Sequence, residues 1–112
     1  MKIIYNKILP FGRNFYAINL FGVLFAKGPC NSVIINHEKI HTTQMKEMAY
    51  LFFYLSYIVE WIVRLFQYGF STKAYYNISF EREAYRNQTD LSYLDSRKPF
   101  SFMRYLSIRF RK

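Results

Sequence analysis

The residues of this chain best suited to chemistry lie in one short stretch, Asn36-His37-Glu38-Lys39-Ile40-His41, which has the pattern H-E-x-x-H. His37 and His41 are the only two histidines in the chain. On an α-helix, residues four apart share one face about one turn, roughly 5.4 Å, from each other. Two imidazoles placed that way can converge on one metal ion. Glu38 is rotated by about 100°. Its carboxylate is then close to the metal but free to act as a base on an activated water.

A catalytic zinc takes three protein ligands, and with both histidines used the third must be Asp, Glu or Cys. Glu47 lies on the same helix but points off the histidine stripe. Glu60 stands four residues before Arg64, the acid-first order that favours a helical ion pair. Asp90 and Asp95 belong to a polar stretch that reads as solvated. Glu81 and Glu83 remain, in the first turn of a later helix, where the helix dipole also favours acids. Glu81 shares a face with Ala84, whose small side chain lets two helices approach closely. Glu83 points about 200° away, among Arg82 and Arg86. Glu81 is therefore preferred as third ligand, with Glu83 as the alternative.

The elements that must position these groups can be read in order. Residues 2–27 read as β structure: Lys2 to Leu9, a turn at Pro10-Phe11-Gly12, then the apolar and aromatic runs Phe15 to Phe21 and Gly22 to Lys27. Gly28-Pro29 ends the run. The motif helix starts at Asn31 or Ser32, both good N-cap residues, and continues to Glu47 or Met48. Ile34, His37, His41, Gln44 and Met48 fall on one stripe, so the histidines face inward with apolar residues. Ala49 to Phe70 is long and apolar enough to span a bilayer by length, but Glu60 and Arg64 lie within it. A buried hairpin helix and an interfacial helix both fit this segment better than a span, and Gly69 is its natural stop. A helix from Phe80 to Asp95 follows, with Ser79 as N-cap, and Glu81, Ala84, Tyr85 and Gln88 share one of its faces. Pro99 then opens a basic, amphipathic last helix from Phe100 to about Arg109.

Two stretches, Asn36 to Gln44 and Ser79-Phe80-Glu81-Arg82-Glu83-Ala84-Tyr85, together resemble the gluzincin metallopeptidases. The closer resemblance is to minigluzincins and to the membrane CAAX-type and antibiotic-sensing metallopeptidases. Phe21 to Phe25 resembles the strand at whose edge these enzymes pair an extended peptide. The resemblance implies His37, His41 and Glu81 as zinc (Zn2+) ligands and Glu38 as the catalytic base. It also marks a departure. Where the family often has Asp four residues after the ligand glutamate, to orient a ligand histidine through its second ring nitrogen, this chain has Tyr85. The Tyr85 hydroxyl, or another group, must take that part. With no third histidine available, Tyr85, Tyr93, Arg86 and Arg97 are the candidates for stabilising a tetrahedral oxyanion.

Composition narrows the setting. The chain has 112 residues, which is one small domain, and 21% of them are aromatic, which excludes disorder. A net charge of +9 points to an anionic partner. Basic and aromatic residues together suit a membrane surface better than nucleic acid, for which no recognition motif is present. A lone cysteine, Cys30, forms no internal disulfide and fits a reducing compartment. The N-terminus carries no signal-peptide pattern, so the expected location is cytoplasmic with membrane association. The expectation is a single α+β domain over 1–112: a short antiparallel β layer in a β-rich 1–28, packed on about four helices in 31–112, with the motif on the first long helix. Its expected function is zinc-dependent cleavage of a peptide or protein substrate. The alternative is an inactive metallopeptidase-like adaptor apposed to a membrane.

Overall fold

Short apolar strands at the N-terminus and amphipathic segments thereafter produce an α+β fold. The computed structural model describes residues 2–7, 16–70 and 72–106. In order these form β1 (Ile3–Tyr5), β2 (Ala17–Leu20), β3 (Val23–Ala26), α1 (Ser32–Glu47), α2 (Leu51–Tyr68), α3 (Thr72–Tyr76), α4 (Ser79–Asn87), α5 (Tyr93–Ser96) and a 3-10 turn at Ser101–Tyr105. The expected turn at residues 10–12 and the expected end of the last helix at 107–109 lie outside the described residues.

The sheet is mixed, with strand order β1-β3-β2. β2 and β3 pair antiparallel with Leu20 opposite Val23, so Phe21 and Gly22 alone make the turn. Both have positive φ, 54° and 89°, as a tight hairpin turn demands. β1 pairs parallel to β3, Ile3 opposite Leu24. This corrects the expected antiparallel layer: the chain reverses into β2 and again into β3, which returns β3 to the direction of β1. Of the stretch expected as the substrate-pairing edge, Phe21 to Phe25, the first two residues form the hairpin turn and Val23 to Phe25 lie in the central strand. The outer strands are β1 and β2.

α1 is capped as its sequence predicts, with the Asn31 carbonyl oxygen Oδ1 accepting from the Ile34 N–H at 2.8 Å. It ends where Ala49 and Tyr50 take left-handed backbone, φ 52° and 57°, and the axis bends by 111° into α2. Gly69 stops α2 with φ 77°, a conformation that disfavours any residue with a Cβ. Within α2, Arg64 pairs with Glu60 at 3.2 Å, and both turn toward the protein. Glu60 also accepts from the backbone N–H and the hydroxyl of Ser79, which pins the start of α4. Among the described residues no single helix is long and apolar enough to cross a membrane.

Two helices differ from expectation. The one expected to reach Asp95 stops at Asn87 and resumes only as the short α5. Asn87 Nδ2 donates back to the Glu83 carbonyl. From α1, Asn36 Nδ2 donates to the carbonyls of Gln88 at 2.8 Å and Asp90 at 3.0 Å, so those groups need no further helical turn. In place of the expected α-helix from Phe100, the described residues form the 3-10 turn, which drives Phe102 into the core. There it joins Met45, Phe53, Ile78 and Phe80. This cluster clamps α1, α2 and α4 together behind the histidines.

Candidate metal centre

α1 presents His37 and His41 one turn apart on its buried face, 6% and 5% exposed. α4 crosses it closely, with Ala84 fully buried at the contact side. The crossing brings Glu81 to both imidazoles: Glu81 Oε1 lies 3.2 Å from His37 Nε2 and 3.0 Å from His41 Nε2, and the two Nε2 atoms are 3.1 Å apart. These are the three residues expected as ligands.

The second ring nitrogens determine what the first can do. His41 Nδ1 lies 2.8 Å from Gln44 Oε1, and His37 Nδ1 lies 2.9 Å from Gln88 Oε1. The Gln44 amide is oriented by its nitrogen, which donates to the Phe80 carbonyl at 3.1 Å and to Glu83 Oε1 at 2.9 Å. Its oxygen must then face His41, and an amide oxygen only accepts, so His41 Nδ1 carries the hydrogen. With Gln88 Oε1 accepting likewise from His37, both Nε2 atoms present lone pairs. With both rings neutral, they converge with a carboxylate oxygen: three acceptors and no donor between them. Glu81 is held from behind by the Tyr57 hydroxyl, which donates to Oε2 at 2.7 Å.

Such a cluster calls for a cation. Without a metal ion, a proton on His41 fills that need: burial by itself lowers the His41 pKa, but the Glu81 charge and hydrogen bond outweigh it and raise it to about 9. For Glu81, burial opposes ionisation, yet the two histidines hold its carboxyl well below the usual range. A metal ion satisfies all three groups at once. A tetrahedral site with metal–ligand bonds of ~2.0–2.1 Å has ligand–ligand edges of roughly 3.3 Å. The observed separations of 3.0 to 3.2 Å fit that requirement. His37, His41 and Glu81 therefore form a group that could hold a metal ion.

Glu38 stands beside this group. Burial raises its carboxyl above the ordinary range, partly offset by His41 and His37. Unlike Glu47, Glu60, Glu81 and Glu83, its side chain enters no hydrogen bond or ion pair with the described residues. It lines two cavities of about 570 Å3 and 620 Å3, as do Ala17, Trp61 and Tyr75. The cavities thus meet in one cleft passing Glu38, walled on one side by β2. Asn19 fastens that edge to α1, its Nδ2 donating to the Glu38 carbonyl at 2.9 Å and to Thr42 Oγ1 at 2.8 Å.

Other expected residues fall elsewhere. Glu83 is fully buried but faces away from the histidines, accepting from Gln44, from the Tyr93 hydroxyl at 2.6 Å and from Arg97 Nε at 2.6 Å. Arg97 also makes a two-pronged pair with Glu47, at 2.9 and 3.0 Å. Tyr93 and Arg97 are thereby committed to this network and do not serve an oxyanion. Arg86 is exposed and lines a surface groove that meets the cleft at Tyr76 and Tyr85 but does not line the cleft itself. Tyr85 does not orient a ligand histidine through its hydroxyl. Its ring packs edge-on against His37, centroids 4.4 Å apart, and its hydroxyl lies 3.4 Å from that of Tyr75. Burial raises both phenols far above their usual range, which keeps both as O–H donors.

In the sequence, Gln44 stood out as a residue near His41 on the motif helix that could bond a ligand or a substrate, with an ordinary polar contact preferred, and Gln88 only as a residue sharing a face with Glu81. Tyr57 and Tyr75 carried no signal, because only the packing of α2 and α3 brings them to the site. No family model, curated protein or solved structure matches this chain.

Proposed function

We propose that this domain is a zinc-dependent metallopeptidase of the gluzincin kind. The observation that carries the reading is the meeting of three lone pairs, from His37, His41 and Glu81, beside the unengaged carboxylate of Glu38 in an open cleft. The donor set, two imidazoles and one carboxylate, is that of a catalytic zinc site rather than a cysteine-rich structural one.

His37, His41 and Glu81 would hold the ion. Bound there, zinc supplies Lewis acidity that acidifies water and polarises a carbonyl. The remaining work falls to the chain. Glu38 takes the proton of the attacking water and delivers it to the leaving amine, a role suited to a half-buried carboxylate with a raised pKa. Gln44 and Gln88 fix the tautomers and ring orientations of the two histidines. The outer edge of β2, where the Asn19 carbonyl already accepts from the Tyr54 hydroxyl, offers its remaining backbone groups to an extended peptide lying in the cleft. The paired hydroxyls of Tyr75 and Tyr85 line the same cleft and can donate to negative charge developing on the scissile carbonyl.

The test is Glu38→Gln, assayed against a mixed peptide library alongside the metal content of the protein. Turnover should fall by roughly 10²- to 10⁴-fold while the metal is retained. A wild-type protein that binds zinc but cleaves no peptide would leave a metal-holding adaptor as the better account.

A further inference from the structure

α2 has its polar residues on the wrong side for a helix in water. Its two charged residues, Glu60 and Arg64, pair with each other and face the protein, and Arg64 is only 1% exposed. The outward face holds Phe52, Leu55, Val59, Ile62, Val63 and Phe66, between 43% and 89% exposed. At about 100° per residue, these six fall within roughly 100° of arc, one continuous stripe along the helix. Phe70, just past the end, is 94% exposed. A surface helix ordinarily turns its charges outward and its apolar stripe inward. A contiguous exposed apolar face of this kind marks a contact surface.

The charges around it select the partner. Lys46, in the last turn of α1, and Lys73, in α3, are both exposed and bracket α2 at its two ends. Lys73 Nζ sits 5.2 Å from the Tyr68 ring at the close of α2. Among the described residues, eight lysines and arginines are exposed, against only two acids, Asp90 and Asp95. Every glutamate is at least partly buried. A second copy of a chain with net charge +9 would be repelled from this face, whereas an anionic surface is attracted to it. An apolar stripe with lysines near the two ends of its helix matches a helix lying in the plane of a bilayer interface, its side chains in the acyl boundary and its cations reaching to the headgroups.

We propose that α2 seats this domain on an anionic lipid bilayer through its outer face, with Lys46 and Lys73 at the headgroups. The seat does not depend on the metal centre.

The full chain is mixed with vesicles of phosphatidylcholine, with or without phosphatidylserine, and followed by co-sedimentation. Expected is binding at least ~10-fold tighter to the anionic vesicles, weakening with salt. The triple variant Phe52→Gln, Val59→Gln, Phe66→Gln should lose on the order of 100-fold in partitioning. Its circular dichroism should be unchanged, because all three side chains are exposed. The double variant Lys46→Gln, Lys73→Gln, which leaves the apolar stripe intact, should lose the preference for phosphatidylserine. No binding to either vesicle, equal binding to both, or full binding by a folded triple variant would each overturn the proposal. So would a lipid-free dimer that the triple variant converts to monomer, since a second copy would then be the occupant.

Discussion

Glu81 and Glu83 stand two residues apart on one helix, both buried, at 4% and 0% exposure, and do opposite work. Glu81 faces two imidazole nitrogens that, in the neutral rings, carry no hydrogen, so it adds a third acceptor to a group that needs a cation, whether a metal ion or a proton. Glu83 faces the hydroxyl of Tyr93, the amide of Gln44 and the guanidinium of Arg97, donors that satisfy it completely. Residue type and depth are the same. What separates a candidate metal ligand from a structural anchor is whether its neighbours donate or accept. Yet the two are joined: the Gln44 amide gives its hydrogens to Glu83 and its oxygen to His41. The satisfied carboxylate thereby orients a ligand of the unsatisfied one.

This contrast can be broken at three points. Glu81→Ala removes a ligand, and protein purified without added metal should fall from about one ion per chain to almost none by elemental analysis. An unchanged metal content would show that the cluster is not the site. Arg97→Met acts on the other carboxylate, leaving the buried Glu83 without its counter-charge. It should cost about 3–5 kcal/mol of folding stability, read by denaturant unfolding of the metal-free protein. A loss below about 1 kcal/mol would mean that Glu83 is not anchored as the geometry implies. The smallest effect is expected from cutting the link between them. Gln44→Leu deprives His41 Nδ1 of its acceptor and should weaken zinc binding by roughly 10- to 100-fold, measured by competition with a chromogenic chelator. If affinity holds, the orientation of His41 comes from packing alone.

Much of the site was legible because it is local. The spacing of His37 and His41, the Asn31 cap, the Glu60–Arg64 pair and the stop at Gly69 all depend on contacts within about one helical turn. Those contacts are set as soon as the helix forms. Glu81 could be preferred to Glu83 from its place beside Ala84, since a close crossing needs a small residue. Tyr85 was a different matter. Its position one turn after Glu81 suggested a partner for a ligand histidine, but Gln88, a further turn minus one residue along, takes that place while Tyr85 packs its ring against His37.

The sequence by itself determined which residues could bind a metal, which helix carries them and where that helix begins and ends. Those facts follow from side-chain chemistry and the fixed rotation of an α-helix. Only the tertiary structure decided the rest. The pairing of β1 with β3 made β2 the edge beside the cleft. Asn36 ended α4 by capping carbonyls more than fifty residues away. The bend at Ala49 and Tyr50 folded one face of α2 over the site and left the other face bare. Each of these is a contact between segments distant in the chain, fixed by which surfaces pack together rather than by local spacing.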